Sequence, residues 1–302
     1  MSPAAGSDSR WSKTEARTGM KVCVTGGSGK AGRAVVADLL EHGHQVVSAD
    51  LVRPAGGPAG AAHLHADLTD YGQAVEALHG ADVVVHLANI PAPGIRTPAE
   101  TFNLNMAMNF NVFRAASQLG LARVVWASSE TTLGLPFDVP PRYAPVDEDH
   151  YPVPTSTYAL SKVASETVAG QIAQWSGIPF VALRFSNILG PADYEQFPSY
   201  WGDPRLRKWN LWGYIDERDA AAACRLALDA DVSGSTSFII AADDTVMTRP
   251  SAELMAEVFP SVPLTREVPG HGTLLSNDRA RGALAFTPQH SWRDHVAAPA
   301  GS

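Results

Sequence analysis

Cysteine is nearly missing from this chain of 302 residues, which has only Cys23 and Cys224. Two thiols exclude a disulfide framework and a cysteine-rich zinc site, and they suit a reducing compartment, so a cytoplasmic location is expected. A basic surplus is also lacking: 23 Lys and Arg stand against 31 Asp and Glu, for a net charge of −8. That balance leaves no electrostatic footprint for nucleic acid or an anionic membrane, and neither partner is expected. No apolar run approaches the length of a membrane span, and residues 1–19 have no apolar block of the kind a secretory signal needs. Rich in Ser, Ala and charge, residues 1–19 read as a disordered leader, with Met20 as an alternative start, and 297–302 as a loose tail. His63 and His65 alternate on a short apolar stretch without a third ligand at zinc spacing, so no metal is expected. There is no internal repeat.

What is present is ordinary globular composition, 45% hydrophobic and 18% charged, in a chain long enough for a full α/β core. Its organising stretch is Thr25-Gly26-Gly27-Ser28-Gly29-Lys30-Ala31-Gly32. A buried strand over 22–25 precedes it and an amphipathic helix over 34–40 follows, so the glycines occupy a strand-to-helix turn. Without Cβ atoms, Gly26, Gly29 and Gly32, with Lys30 and Ala31 between them, let a pyrophosphate approach bare backbone beside a helix N-terminus. The spacing is Gly-x-x-Gly-x-x-Gly rather than the commoner Gly-x-Gly-x-x-Gly. A second strand over 45–49 ends at Asp50, about 20 residues on, where a carboxylate accepts hydrogen bonds from an adenosine ribose. The same carboxylate repels a 2′-phosphate, which favours NAD over NADP, with Arg33 and Arg53 keeping NADP as the lesser alternative.

Strand and helix patterns then alternate. A strand over 63–66 ends at Asp67-Leu68, where an adenine ring could be held, and a helix follows over 70–79. The continuous apolar run 83–87 reads as a central strand ending at Leu87-Ala88-Asn89, with 90–94 as a loop over the same edge. A helix over 98–119 carries Asn103, Asn105, Asn109 and Asn111, and so many poor helix formers suggest specific hydrogen bonds. A strand over 123–127 delivers Ser128-Ser129-Glu130-Thr131 to the ligand edge. Six prolines between 134 and 155 make an ordered loop or lid, and a helix over 156–175 holds Tyr158 and Lys162 on one face. A strand over 180–185, an aromatic-rich stretch over 192–212, a helix over 216–228, a strand over 237–241 and a helix over 251–259 complete the pattern. The expected fold is α/β, a doubly wound parallel sheet over 20–190 with a smaller C-terminal substrate lobe over 191–296, from which 216–241 return to the sheet.

A phenol with a lysine one turn away is a general acid/base device, the ammonium drawing the tyrosine down from its reference pKa of about 10 while a serine hydroxyl fixes the substrate oxygen. Ser129, Tyr158 and Lys162 form that set. Together with the glycine turn, Asp50, Asp67-Leu68, His86-Leu87-Ala88, Asn105 with Asn111, Pro145-Val146-Asp147-Glu148, Arg184-Phe185-Ser186-Asn187-Ile188-Leu189-Gly190-Pro191 and Tyr214-Ile215-Asp216-Glu217-Arg218-Asp219, it resembles the extended short-chain dehydrogenase/reductase family, the group of sugar-nucleotide epimerases and dehydratases. The resemblance covers about 21–223. It implies a Rossmann-type sheet, NAD also touched by Leu87, Ala88, Asn89, Asn105 and Phe185, Tyr158 as acid/base, Lys162 on the nicotinamide ribose, Ser129 on the substrate oxygen, and a homodimer.

Substrate contacts are less sharply drawn. Glu130 and Thr131 stand where relatives carry varied substrate residues, and Glu130 is either a second acid/base group or an exposed strand-end charge. Asn187 follows the sixth strand at the same edge. The segment 192–213 is short for a nucleotide pocket, which is similar to the uronate dehydrogenase branch, and Arg205, Arg207 or Lys208 could then pair with a sugar carboxylate or simply be solvated. Three readings follow: an NAD-dependent oxidoreductase acting on a small sugar or sugar acid, a sugar-nucleotide 4-epimerase or dehydratase with retained NAD, and a non-catalytic NAD-binding regulator.

Overall fold

A computed structural model of the chain describes residues 19–53, 56–150 and 152–296. Apart from Gly19, the leader over 1–19 and the tail over 297–302 lie outside the described residues. In chain order the elements are β1 (Lys21–Thr25), α1 (Lys30–Glu41), β2 (Gln45–Asp50), β3 (Ala62–His65), α2 (Tyr71–Leu78), β4 (Val83–His86), α3 (Pro98–Leu119), β5 (Arg123–Ser129), α4 (Thr157–Ser176), β6 (Phe180–Phe185), β7 (Ile188–Leu189), β8 (Ile215–Asp216), α5 (Glu217–Asp229), β9 (Ser235–Ile240), α6 (Ser251–Val258) and α7 (Asp278–Leu284).

Seven parallel strands form one sheet in the order β3-β2-β1-β4-β5-β6-β9. Strand residues alternate between its faces, and both faces are buried, which is why the strands read as continuous apolar runs. Val22, Val24, Val83, Val85 and Leu183 point to the side packed by α1 and α5. Cys23, Val84, Val124, Trp126 and Ala182 point to the side of α2, α3 and α4. The order reverses between β1 and β4, so a crevice opens above the carboxyl ends of these strands.

Local chemistry sets the helix ends. Thr97 accepts from the Glu100 N–H at 3.3 Å to start α3, and Gly120 in the left-handed region stops it. Ser156 starts α4 by accepting from the Ala159 N–H at 3.1 Å, which places Tyr158 and Lys162 in its first two turns. Asn105, Asn109 and Asn111 are buried on α3 and each is hydrogen-bonded, so these poor helix formers serve tertiary contacts.

The second lobe rests on Phe137, Tyr194, Phe197, Trp212, Tyr214, Met247, Phe259 and Trp292, joined to the sheet domain through the short parallel pair β7 and β8. Residues 191–200, 204–206 and 208–210 form three tight helical segments. The proline-rich stretch is tied down rather than hinged: the Phe137 N–H donates to the Trp209 carbonyl at 3.1 Å and the Val153 N–H to the Thr132 carbonyl at 2.8 Å. Among the described residues no helix is long and apolar enough to cross a membrane, and no three metal-binding side chains cluster.

Candidate active site

The turn after β1 is built by contact, not only by flexibility. Gly26 has φ +71, and a Cβ there would lie 2.6 Å from the Ala88 nitrogen; one on Gly32 would lie 2.0 Å from the Gly26 carbonyl oxygen. These glycines let α1 close against β1 and the end of β4. Gly29 caps α1 without a side-chain hydrogen bond, so the first-turn N–H groups of Lys30, Ala31 and Gly32 are left for a ligand. All of these residues line a cleft of about 780 Å³ that runs from the turn to α4. Asp50 lines the same cleft, its carboxylate accepting from the Ser28 N–H at 3.0 Å and the Val52 N–H at 3.2 Å. An open helix N-terminus beside a carboxylate at the next strand end fits the pyrophosphate and ribose of a dinucleotide.

At the other end of the cleft the structure brings Ser129, Tyr158 and Lys162 together. The Ser129 hydroxyl oxygen accepts from the Thr131 N–H at 3.2 Å and the Thr131 hydroxyl at 2.9 Å, which leaves its own hydrogen for the Tyr158 phenol. Lys162 Nζ lies 5.7 Å from the Tyr158 ring centroid and donates to Asn89 Oδ1 at 2.6 Å and the Ala127 carbonyl at 2.7 Å. The electrostatics differ from the sequence expectation. Burial pushes the Tyr158 phenol up to about 12, against the pull of Ser129 and with help from Glu130, and burial pushes the Lys162 ammonium down to about 7. For both groups burial is the largest cause, acting on Tyr158 against the Ser129 hydrogen bond and on Lys162 against the charge of Glu166.

Glu130 is not an exposed strand-end charge. It is 3% exposed and lines the cleft, accepting from the Ser186 hydroxyl at 2.6 Å and from Asn210 Nδ2 at 3.2 Å. Burial holds its carboxyl up at about 7, although Ser186, Asn210 and Arg207 favour the charged form. Behind it the Arg207 guanidinium stacks 4.6 Å from the Trp209 ring and donates to the Gly213 carbonyl at 3.1 Å. Leu211 and Trp212, both non-glycine residues at positive φ, hold this corner, and burial of Trp212 with its indole N–H on the Pro204 carbonyl offsets the strain.

Other expected contacts fall outside the cleft. Arg205 is exposed and pairs with Glu257 at 3.1 Å, and Lys208 lies 3.7 Å from Asp138; neither lines the cleft. Asp67 turns onto its own loop, accepting from the Thr69 N–H at 2.9 Å, and Leu68 is buried with its carbonyl on Asn111. Asn105 clamps the loop after β4, bonding the Ile90 N–H at 2.8 Å and carbonyl at 3.1 Å, and Ala88 packs beneath Gly26. Leu87, Asn89, Phe185, Asn187 and Thr131 do line the cleft. So do Pro91, Pro136, Ser186 and Trp209, which the sequence reading left out of the site. Lys30, which lines the cleft, also pairs with Asp193 of the second lobe, Nζ to carboxylate 2.6 Å.

Comparison with known proteins gives the family and the fold. A family model described as the NAD dependent epimerase/dehydratase family matches residues 22–241. The UDP-glucose 4-epimerase of Corynebacterium glutamicum is 26% identical, over 90% of this chain and 92% of that protein. A crystal structure of a UDP-galactose 4-epimerase, 27% identical, superposes with a TM-score of 0.67 over 90% of this chain and 94% of the other. A short-chain dehydrogenase/reductase superfamily protein from Agrobacterium tumefaciens, solved with bound NAD, is 26% identical with a TM-score of 0.70, over 90% and 93% of the two chains. A mutated uronate dehydrogenase, at 22% identity and a TM-score of 0.67 over 94% and 87%, shares the fold, and the comparisons do not single out its branch.

Proposed function

Because the chain belongs to the NAD-dependent epimerase/dehydratase family, we propose that it is a sugar-nucleotide 4-epimerase that works at a carbinol carbon with retained NAD. The observation that carries this reading is the convergence of Ser129, Tyr158 and Lys162 in the cleft that begins at the glycine turn. The likeness to UDP-glucose 4-epimerases over nine-tenths of the chain supports the substrate class. Gly26, Gly29, Lys30, Ala31 and Gly32 would hold the pyrophosphate of NAD and Asp50 its adenosine ribose, with Leu87, Asn89 and Phe185 along its path. The chemistry NAD supplies when bound is a hydride acceptor at the nicotinamide ring. Tyr158 takes the proton of the substrate hydroxyl as the phenolate and returns it as the phenol. Ser129 orients that hydroxyl, and Lys162, lowered to about 7 by burial, favours the phenolate in its ammonium form. Asn187, Glu130 and Trp209 face the sugar.

The test is mass spectrometry of the nucleotide that copurifies, followed by NMR of UDP-glucose and UDP-galactose incubated with the protein. Interconversion without added reductant is expected. A protein carrying NAD that converts no nucleotide sugar overturns the reading.

One observation favours a net sugar dehydrogenase instead. Residues 191–210 are packed into the second core through Tyr194 and Phe197 rather than opened as a nucleotide pocket. Reduced nicotinamide accumulating with a free aldose or uronate would select that reading. The intact acid/base set speaks against a non-catalytic regulator. We further propose a homodimer through α3 and α4, which present Phe110 and Leu160 to solvent; sedimentation at micromolar concentration tests it.

A further inference from the structure

Two polar residues near the Lys162 ammonium have no assigned part in proton transfer, Asn89 in the loop after β4, which also lies along the proposed cofactor path, and Asn109 on α3. Asn89 Nδ2 donates to Asn109 Oδ1 at 2.8 Å, and the same oxygen lies 2.8 Å from His86 Nε2. The Lys162 ammonium only donates, so Asn89 turns Oδ1 toward it and Nδ2 toward Asn109, whose oxygen must therefore face Asn89 while its own Nδ2 donates to the Ser165 hydroxyl at 2.7 Å. His86 is buried, and burial pushes it down to about 3, so the ring is neutral with one proton. An amide oxygen only accepts, so that proton sits on Nε2, and Nδ1 accepts from the Thr25 hydroxyl at 2.6 Å. Every donor and acceptor is therefore assigned along a chain from Thr25, the residue before the glycine turn, to Lys162. Asn89 is left with one orientation, its oxygen toward the ammonium.

We propose that Asn89, locked by Asn109 and His86, is the positioning residue for the Lys162 ammonium, supplying one of the two acceptors that hold this buried cation and leaving its third N–H for the cleft. The inference rests on the reading above only in taking Lys162 to act as a cation. The other groups facing Lys162 do not replace this acceptor. Glu166, one turn along α4, is bound by Arg184 of β6 at 2.8 Å and by the Ser128 hydroxyl of β5 at 2.6 Å. Tyr158 on α4 and His86 on β4 are neutral, and Glu130 faces Ser186 and Asn210. Deleting the Asn89 oxygen thus leaves a buried ammonium short of a partner, and a carboxylate in its place gives it a counter-ion. The two changes move the titration of Lys162 in opposite directions.

The experiment labels the free protein with a trace of acetic anhydride across pH and quantifies acetylated Lys162 by mass spectrometry. Asn89→Ala is expected to lower the midpoint by about one pH unit and Asn89→Asp to raise it by about as much. Asn109→Ser, which frees Asn89 without removing it, gives a smaller downward shift. In turnover, the alkaline limb of kcat follows the same directions while KM for the sugar stays within about twofold. Folded Ala and Asp variants with the parental midpoint, or with shifts of the same sign, overturn the inference. Opposed shifts in a protein that turns over no sugar uphold it and overturn the functional reading instead.

Discussion

Ser186 and Glu130 meet at 2.6 Å across 56 residues of chain, hydroxyl to carboxylate, on the inner wall of the cleft. The contact joins the end of β6 to the turn after β5, and with Asn210 it gives a buried acid three elements of support. That arrangement has consequences for stability as well as for chemistry.

Glu130 makes folding dependent on pH. Its carboxyl titrates at about 7 in the fold against an ordinary 4.5, because burial penalises the charge. Between these values the folded chain binds the proton and the unfolded chain does not, so the contribution of this group to stability falls as pH rises from 4.5 to 7. Glu130→Gln should therefore gain on the parent protein by about 1–3 kcal/mol between pH ~5 and pH ~8. Urea unfolding of both proteins at the two pH values measures the difference, and an unchanged gap would show that the carboxyl is not held up.

Tyr158→Phe removes the proton acceptor and little else, since the phenol is 7% exposed and the ring keeps its packing. A loss of about 10²–10⁴ in kcat is expected, with NAD affinity nearly unchanged. Steady-state rates and calorimetric titration with NAD separate the two effects.

Asp50→Asn keeps the shape of the strand end proposed to hold the adenosine ribose and removes its charge. The variant should bind NAD about 10–100-fold more weakly while discriminating less against NADP. Titration of both cofactors against parent and variant checks this, and equal discrimination in the two would remove Asp50 from the adenosine site.

Gly32→Ala and Gly29→Ala separate packing from binding in the turn. The first drives a methyl to 2.0 Å from the Gly26 carbonyl, while the nearest neighbour of the second is 3.4 Å away. The expected cost is about 1–3 kcal/mol or more for Gly32→Ala and much less for Gly29→Ala, read as thermal midpoints.

The parts of the site that were legible in sequence are those with a local signal. Ser129, Tyr158, Lys162 and Asp50 sit at fixed distances from strand ends or helix starts, and each of those elements was marked by its own period and cap. Glu130 was ambiguous because its partners Ser186 and Asn210 lie 56 and 80 residues away. Arg207 could not be told from Arg205 and Lys208, since the tight turns that carry them have no period to say which side chain faces inward. Asp67 forms an Asx turn onto Thr69, a local bond that its place at a strand end does not announce. Helix α7 escaped notice because it is short and has a glycine inside, and β7 and β8 are two residues each. The ionisation of Tyr158 and Lys162 depends on burial, which adjacency in sequence does not report.

The contact between Lys30 and Asp193 bears on how long a dinucleotide stays. It joins Lys30 of the glycine turn, which lines the cleft, to Asp193 of the second lobe, and so ties the two together. Both side chains touch solvent, so dissolved salt weakens their hold, and residence time should shorten with ionic strength. Under the proposed function, a bound dinucleotide that leaves faster at high salt, and faster still from Lys30→Ala, is the expected outcome.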